Sequence, residues 1–310
     1  MINGILNIRK EKGYTSHDVV ARLRGITHQK KIGHTGTLDP DAEGVLPVCL
    51  GRATKVCDLL TERDKTYEAV LLLGVETDTQ DITGTVLRTG SADVSEEEAL
   101  DCIAGFVGDY DQIPPMYSAL KVGGKKLCDL AREGKTVERK SRRVTIHNIR
   151  ILSVELPRVR MEVSCSKGTY IRTLCHDIGQ KLGTGGCMES LVRTRSGMFC
   201  IRDSVTLREV EAAVKAGTLG EMLIPLDRVF SGLKAGMAGE ALAHCAYNGN
   251  PLPADRVEFW EEPPGPGEEC RIYDGRGRFV GIYRHDAGEG KLRLKKMFFD
   301  PAQGQEDAGI

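Results

Sequence analysis

Long apolar stretches are missing from this chain of 310 residues. The longest is Ala69-Val70-Leu71-Leu72-Leu73, far short of the roughly 20 residues that a membrane-spanning helix needs. Paired cysteine motifs are missing too. The 10 Cys stand at 49, 57, 102, 128, 165, 175, 187, 200, 245 and 270, and no two are three apart, so no C-x-x-C pair offers zinc or redox chemistry. They read as small apolar residues of a reducing cytoplasm. The opening Met1-Ile2-Asn3-Gly4 has no basic region followed by an apolar stretch, so no secretory signal is expected and the expected location is cytoplasmic. Net charge is nearly absent: 43 Lys and Arg face 44 Asp and Glu. That balance alone argues against a nucleic-acid partner. No repeat or low-complexity tract is evident.

What is there suits an ordinary soluble protein: 40% hydrophobic and 28% charged residues in 33.9 kDa, enough for one large domain or a large domain with a small companion. The charge is unevenly spread. From Lys121 to Arg172 there are 14 Lys or Arg against 5 Asp or Glu, and from Leu73 to Gln112 there is 1 Arg against 10 acids. A basic block in a neutral chain is a possible phosphate-binding face. Alone it is more often a solvated surface, so it gains weight only if a catalytic motif falls inside it.

Residues 1–231 read as one α+β unit. Strands are expected at Gly4–Arg9, Val45–Leu50, Tyr67–Leu73, Val144–Leu156 and Val159–Cys165, the last from the alternation of Val159, Met161, Val163 and Cys165. Ser16 is expected to cap a helix carrying Val19, Val20 and Leu23. A second helix carries Val56, Leu59 and Leu60, and Lys125–Glu133 a third. Ser95 with Glu98 and Thr206 with Glu209 form capping boxes, and Tyr170–Leu182 is helical with Gly183 as its stop. Thr77–Gly84 reads as a polar loop. Strands and helices do not alternate regularly, so a mixed or antiparallel central sheet flanked by helices is expected. Beyond Pro225 the character changes. Ser231–Gly239 reads as small and flexible, Glu261–Gly267 as a loop, and Cys270–Tyr273, Arg278–Tyr283 and Leu292–Phe298 as strands, the first two joined by Asp274-Gly275. Residues 232–310 are therefore expected to form a small β-barrel-like module.

Three segments carry chemistry. Gly33-His34-Thr35-Gly36-Thr37-Leu38-Asp39-Pro40 is a shaped loop presenting one His and one carboxylate. Ser166-Lys167-Gly168-Thr169-Tyr170-Ile171-Arg172-Thr173-Leu174 joins a strand to a helix inside the basic block, and its Arg172 could hold a phosphate or pair with a carboxylate. Asp64-Lys65-Thr66-Tyr67-Glu68 opens a strand. Singly, each has a plainer reading: a turn-forming Asp before Pro, a solvated loop Lys, a satisfied core Tyr.

Together with Pro115-Met116-Tyr117-Ser118-Ala119-Leu120-Lys121, these segments closely resemble the bacterial TruB-type tRNA pseudouridine synthases, in the right order over about residues 1–231. The resemblance implies isomerisation of uridine 55 in the T-loop of tRNA, on a pseudouridine-synthase fold with a PUA-type RNA-binding module at the C-terminal end. Position by position, Asp39 matches the catalytic aspartate. Tyr67 matches the tyrosine that stacks on the uracil, and Arg172 the arginine that salt-bridges the aspartate. Lys167, Tyr170 and Leu191 match wall positions, His34 the histidine that contacts everted nucleotides, and Lys55 is taken with them as substrate-binding. Residues 115–143 match a mobile thumb-like loop. One departure stands out: Glu11 replaces the proline of the family's Lys-Pro-x-Gly-x-Thr-Ser opening, which puts the packing beneath the active-site tyrosine in doubt.

The implied reaction detaches the base, turns it and reattaches it through carbon 5, with no net redox change. No cofactor and no metal are expected. Asp39 could attack ribose carbon 1, attack ring carbon 6, or remove a ribose 2′ proton; in each case it must be ionised, and Arg172 is the expected reason that it is. The implied partner is tRNA through its T-arm, with no membrane, no required protein partner and a monomeric state. Three rivals remain: a non-catalytic tRNA-binding or folding factor, a guide-RNA-dependent synthase, and a two-carboxylate glycosidase, for which nothing places Asp41 or Glu43 opposite Asp39.

Overall fold

A computed structural model describes residues 1–299. Its organising element is a nine-stranded sheet. The strand order is Gly4–Lys10, Glu43–Leu50, Gly186–Ser196, Lys65–Leu73, Arg158–Cys165, Arg142–Glu155, Gly108–Gln112, with Ile32–His34 added to the second strand and Phe199–Cys200 to the third. Glu43–Leu50 and Gly186–Ser196 run parallel, while Lys65–Leu73 is antiparallel to both neighbours. The sheet is thus mixed, as the irregular order of elements suggests.

Side-chain alternation explains the centre of this sheet. Val159, Met161, Val163 and Cys165 are all fully buried, as are Ala69, Leu71 and Leu73 on the neighbouring strand, because residues two apart share a face. The opposite face is polar. There Arg160 pairs with Glu68, Arg150 with Glu162 at 3.0 Å and Arg158 with Glu189 at 2.9 Å. Arg143 faces Asp109 at 3.7 Å and Asp111 at 3.5 Å. Exposed pairs like these add at most about 1 kcal/mol each, so their main effect is neutralisation: much of the basic block is matched by acids on adjoining strands.

The helices follow their caps, with one informative difference. Thr15, not Ser16, caps the helix Ser16–Thr27: its hydroxyl accepts from the Asp18 amide, and the Asp18 carboxylate returns a bond to the Thr15 amide at 2.8 Å. Ser16 is thereby released to serve the site. Capping boxes at Ser95–Glu98 and Thr206–Glu209 open Glu96–Ala104 and Leu207–Ala216. The helix expected at Lys125–Glu133 is shorter, Leu127–Arg132. Lys125–Lys126 instead folds back on Lys121–Val122 through Gly123-Gly124, whose φ angles of +57° and +83° make the tight hairpin turn that glycine favours.

The chain divides into two compact units: Met1–Ile2 with Leu6–Met222, and Asn3–Ile5 with the residues from Leu223 onward. The second begins earlier than residue 232 for a physical reason. Ile224 exchanges backbone hydrogen bonds of 2.8 and 2.9 Å with Ile5, Asp227 accepts the Tyr273 hydroxyl at 2.7 Å, and Phe230 packs on Phe279 and Phe298. Six strands form its sheet, in the order Leu252–Pro253, Lys291–Met297, Phe279–Asp286, Glu269–Asp274, Lys234–Ala238, Glu258–Phe259. It curls round a core of Leu242, Ala246, Leu252, Ile272, Val280 and Tyr283. Asp274 shapes the expected turn by accepting from the amides of Arg276 and Arg278, both at 2.9 Å. The segment read as flexible contains the strand Lys234–Ala238, parallel to Glu269–Asp274, and the helix Glu240–Tyr247 follows it. Residues 300–310, the end of the expected module, lie outside the described residues. No helix among the described residues is long and apolar enough to cross a membrane.

Candidate active site

The loop Thr35–Ala42 brings Asp39 to the face of the sheet that holds Tyr67. It is gripped from several sides. Ser16 Oγ receives the Leu38 amide at 2.9 Å and donates to the Leu38 carbonyl at 3.3 Å. Lys10 Nζ donates to the carbonyl of Pro40 at 3.0 Å and to that of Tyr14 at 2.6 Å. Burial pulls the Lys10 ammonium down to about 8, against the opposing pull of the Asp39, Asp41 and Glu43 charges. The return limb passes through Gly44, at φ +109°, where an added Cβ would stand 2.2 Å from the Arg193 carbonyl oxygen. Only glycine permits that approach. The residue Glu11 is exposed and its carbonyl accepts from Lys10 at 3.1 Å. Its carboxylate is therefore outside the packing, and Lys10 still reaches the carbonyls of Tyr14 and Pro40 without the proline.

Asp39 meets Arg172 in a two-point contact: Nε to Oδ2 at 3.0 Å and Nη2 to Oδ1 at 3.3 Å. Arg172 is 5% exposed and the Asp39 side chain 38%, so the guanidinium lies beneath and the carboxylate opens into a recess. Arg172 is further held by the carbonyls of Thr79 at 3.2 Å and Tyr117 at 3.0 Å and by Asp81 at 3.5 Å. One guanidinium thus bridges two carboxylates. Burial raises the Asp39 pKa, and Arg172 opposes this without cancelling it, since Asp81 and Asp41 add to the rise. Arg172 thus favours the charged form, but burial outweighs it and the carboxyl is held above its ordinary value.

Tyr67 lies near the start of its strand, opposite Val163 on one side and Arg193 on the other. It is 9% exposed. Burial raises its pKa, the Arg193 guanidinium pulls it down, and the Asp39 charge raises it. Leu191, 8% exposed, pairs with Ala69 and so shares the face of Tyr67. Tyr170 caps the start of the helix Ile171–Lys181 that carries Arg172. The buried amide of Gln112 fixes it, receiving the Tyr170 amide at 2.8 Å and donating to its carbonyl at 3.0 Å. Burial raises the Tyr170 pKa, with the Asp39 charge adding and Ser118 and Arg172 opposing. Asp39, Tyr67, Tyr170, Arg172 and Leu191 thus form one constellation.

The other expected residues are placed differently. His34 ends a short strand, its ring set edge-on to His17 at 5.3 Å and its buried Nδ1 without a hydrogen-bond partner among the described residues. Burial, then the neighbouring His17, lowers its pKa below the ordinary value. Lys167 is exposed and ion-paired with Glu62. Lys55 is exposed on the turn Gly51–Val56. Sequence reasoning missed Asp81, Gln112 and Arg193. For Asp81 a signal existed in the Thr79-Gln80-Asp81-Ile82-Thr83 spacing, since its carboxylate accepts from the hydroxyls of Thr79 at 2.9 Å and Thr83 at 2.6 Å.

Comparison with known proteins gives the arrangement a context. A model described as the N-terminal domain of the TruB family of pseudouridylate synthases matches residues 24–171, and one described as the C-terminal domain of tRNA pseudouridylate synthase B matches 172–231. A protein named tRNA pseudouridine synthase B from Lachnoclostridium phytofermentans is 52% identical, over 96% of this chain and 100% of its own length. One of the same name from Bacillus pumilus is 41% identical over 98% and 100%. Among solved structures, a chain of an H/ACA ribonucleoprotein bound to a substrate RNA containing 2′-deoxyuridine aligns with a TM-score of 0.72 and 25% identity, over 96% of this chain and 85% of that one. A chain of a Cbf5–Nop10–Gar1 complex aligns with a TM-score of 0.72 and 27% identity, over 96% and 86%.

Proposed function

This chain belongs to the TruB family of pseudouridylate synthases and isomerises uridine in tRNA, and on that premise we propose that Asp39, Tyr67 and Arg172 carry the reaction at uridine 55 of the T-loop. Asp39 acts on the everted nucleotide. Arg172 orients its carboxylate and supports the charged form, and Tyr67 stacks on the base. Eversion costs a few kcal/mol, and stacking offsets roughly 1–3 kcal/mol of it. Tyr170 and Leu191 wall the pocket, His34 fills space vacated in the loop, and Lys55 and Lys167 meet RNA at the rim. The observation that carries this reading is the two-point contact of Arg172 with a half-open carboxylate on the face that bears Tyr67.

The loop 115–143 serves as a thumb. What supports this is the Tyr117 carbonyl on Arg172 at 3.0 Å, which ties the segment to the site, and the two-glycine hairpin that follows it. Among the described residues, Lys121, Lys125, Lys126, Lys140 and Arg142 have no carboxylate within 4.0 Å. The unmatched cations of the basic block therefore concentrate on this segment, where they meet phosphates. Residues 1–231 act as the catalytic domain and 232–310, built on a PUA-like curled sheet, as a second grip on tRNA. The enzyme works as a stand-alone cytoplasmic monomer on bare tRNA: the 52% identity to a tRNA pseudouridine synthase B exceeds the 25–27% to chains from guide-RNA particles and multiprotein complexes. The test is to map pseudouridine in an unmodified tRNA transcript treated with the pure protein. Pseudouridine at position 55 is expected. A different position, or a requirement for added RNA or protein, overturns the assignment.

A further inference from the structure

Arg193 is 1% exposed, and among the described residues no carboxylate lies within 4.0 Å of its guanidinium. Burying a charge without a counter-charge is costly, and a well-packed apolar side chain would fill the same strand position without that cost. The guanidinium is spent on the aspartate loop. Nε donates to the Val45 carbonyl at 2.7 Å, Nη1 to Thr37 at 3.4 Å and Nη2 to Gly36 at 3.3 Å. Those carbonyls lie on both sides of Asp39 in sequence. In the sheet, Arg193 stands between Gly44 and Tyr67, and its charge acts on the Tyr67 phenol.

We propose that Arg193 is a positioning residue, which sets the Asp39 loop and the Tyr67 phenol in register with each other. This rests on the function proposed above. Ser16 and Lys10 hold the residues flanking Asp39, but Arg193 alone, among the described residues, bonds both limbs of the loop from the strand beside Tyr67. Its fork supplies three directed donors to three carbonyls, which a single ammonium cannot reproduce. Tightening this bracket matters because small errors in the placement of a reacting group cost large factors in rate.

The test is single-turnover pseudouridine formation on an unmodified tRNA transcript, beside the Kd for that transcript. Arg193→Met is expected to slow the step about 100-fold while Kd stays within threefold, and Arg193→Lys to recover about tenfold of the loss. A rate within threefold of wild type in Arg193→Met overturns the proposal. So does a Kd that weakens in step with the rate, which would make Arg193 a binding residue. If Arg193→Met does not fold, Arg193→Lys carries the test alone, with an expected loss of about tenfold at unchanged Kd. Failure of both variants to bind tRNA also overturns it, because the arginine is then required for folding. Absence of pseudouridine with the wild-type protein would instead sink the function itself.

Discussion

The floor of the site and the thumb segment lie close together and are built on opposite principles. On the floor, Arg172 and Arg193 are 5% and 1% exposed, and each of their guanidinium nitrogens donates to a carbonyl or carboxylate. Over it, the thumb hairpin Lys121–Lys126 is exposed throughout, joined by two glycines and followed by a helix of only 6 residues. Burial makes floor charges strong and immobile, because the surrounding medium screens them little. Exposure makes thumb charges weak singly and sensitive to salt. A base must be turned over during this reaction without escaping. On the proposed function, that calls for a fixed reagent under a movable cover, a task the two regions would divide.

The largest effect expected from breaking this division is Asp39→Asn. Turnover, followed as tritium released from uridine labelled at carbon 5, should fall more than about 10³-fold. The Kd for tRNA should stay within threefold, since the proposed function assigns binding to the thumb and rim. Residual activity near wild type would remove the aspartate from the mechanism. Next comes Arg172→Ala, expected to lose about 10²-fold or more in turnover and far less in binding. An equal loss in both would make Arg172 a phosphate contact and blur the contrast. Third, replacing Lys121, Lys125 and Lys126 together by Ala should weaken Kd about tenfold and flatten its salt dependence, with single-turnover rate at saturation unchanged. A loss of rate there would give the thumb a chemical part.

The smallest effect is one of stability, and its sign follows from charge. Folding raises the Asp39 pKa above its ordinary value, so the folded state favours the protonated form. The stability that this preference contributes is complete below the ordinary aspartate range and is lost as pH rises through the raised value. Above the ordinary aspartate range the fold therefore resists ionisation of this group. Asp39→Asn should melt about 1–3 °C higher at pH 7, with the gain vanishing as pH falls below the ordinary aspartate range. A lower melting temperature at pH 7 would mean that the pair with Arg172 outweighs burial. Activity should rise along an acid limb placed above the free-aspartate value.

Much of the floor could be seen in the letters. Asp39, Tyr67 and Arg172 sit in segments whose order and spelling match a known family, and Val159–Cys165 shows its strand by alternation alone. The strand Gly186–Ser196 could not be seen, although it is central. Its register shifts between Met188 and Ser190 and again between Arg193 and Arg195, so no alternation runs its length, and a buried arginine occupies a position where period two predicts an apolar residue. Leu191 was found only through resemblance, and Arg193 not at all. Gln112 was hidden for a similar reason: its value lies in two bonds to Tyr170, 58 residues away. Lys167 shows the converse. A cation in a motif is legible, but its exposed partner Glu62, distant in sequence, is not. The net −1 charge misled in the same way, because it sums over ion pairs that leave a few lysines uncovered.

Gly44 has a consequence for how such a protein tolerates change. Its missing side chain is where the loop's return limb rests against the backbone of Arg193, 2.2 Å from where a methyl group would sit. Thr37, seven positions earlier and exposed, imposes no such limit. In a saturation library, position 37 should accept many residues and position 44 almost none, even though glycine has no side chain to present to the nucleotide. Tolerance to replacement would then chart the mould that holds the reagent, where a search for reactive groups finds only the reagent.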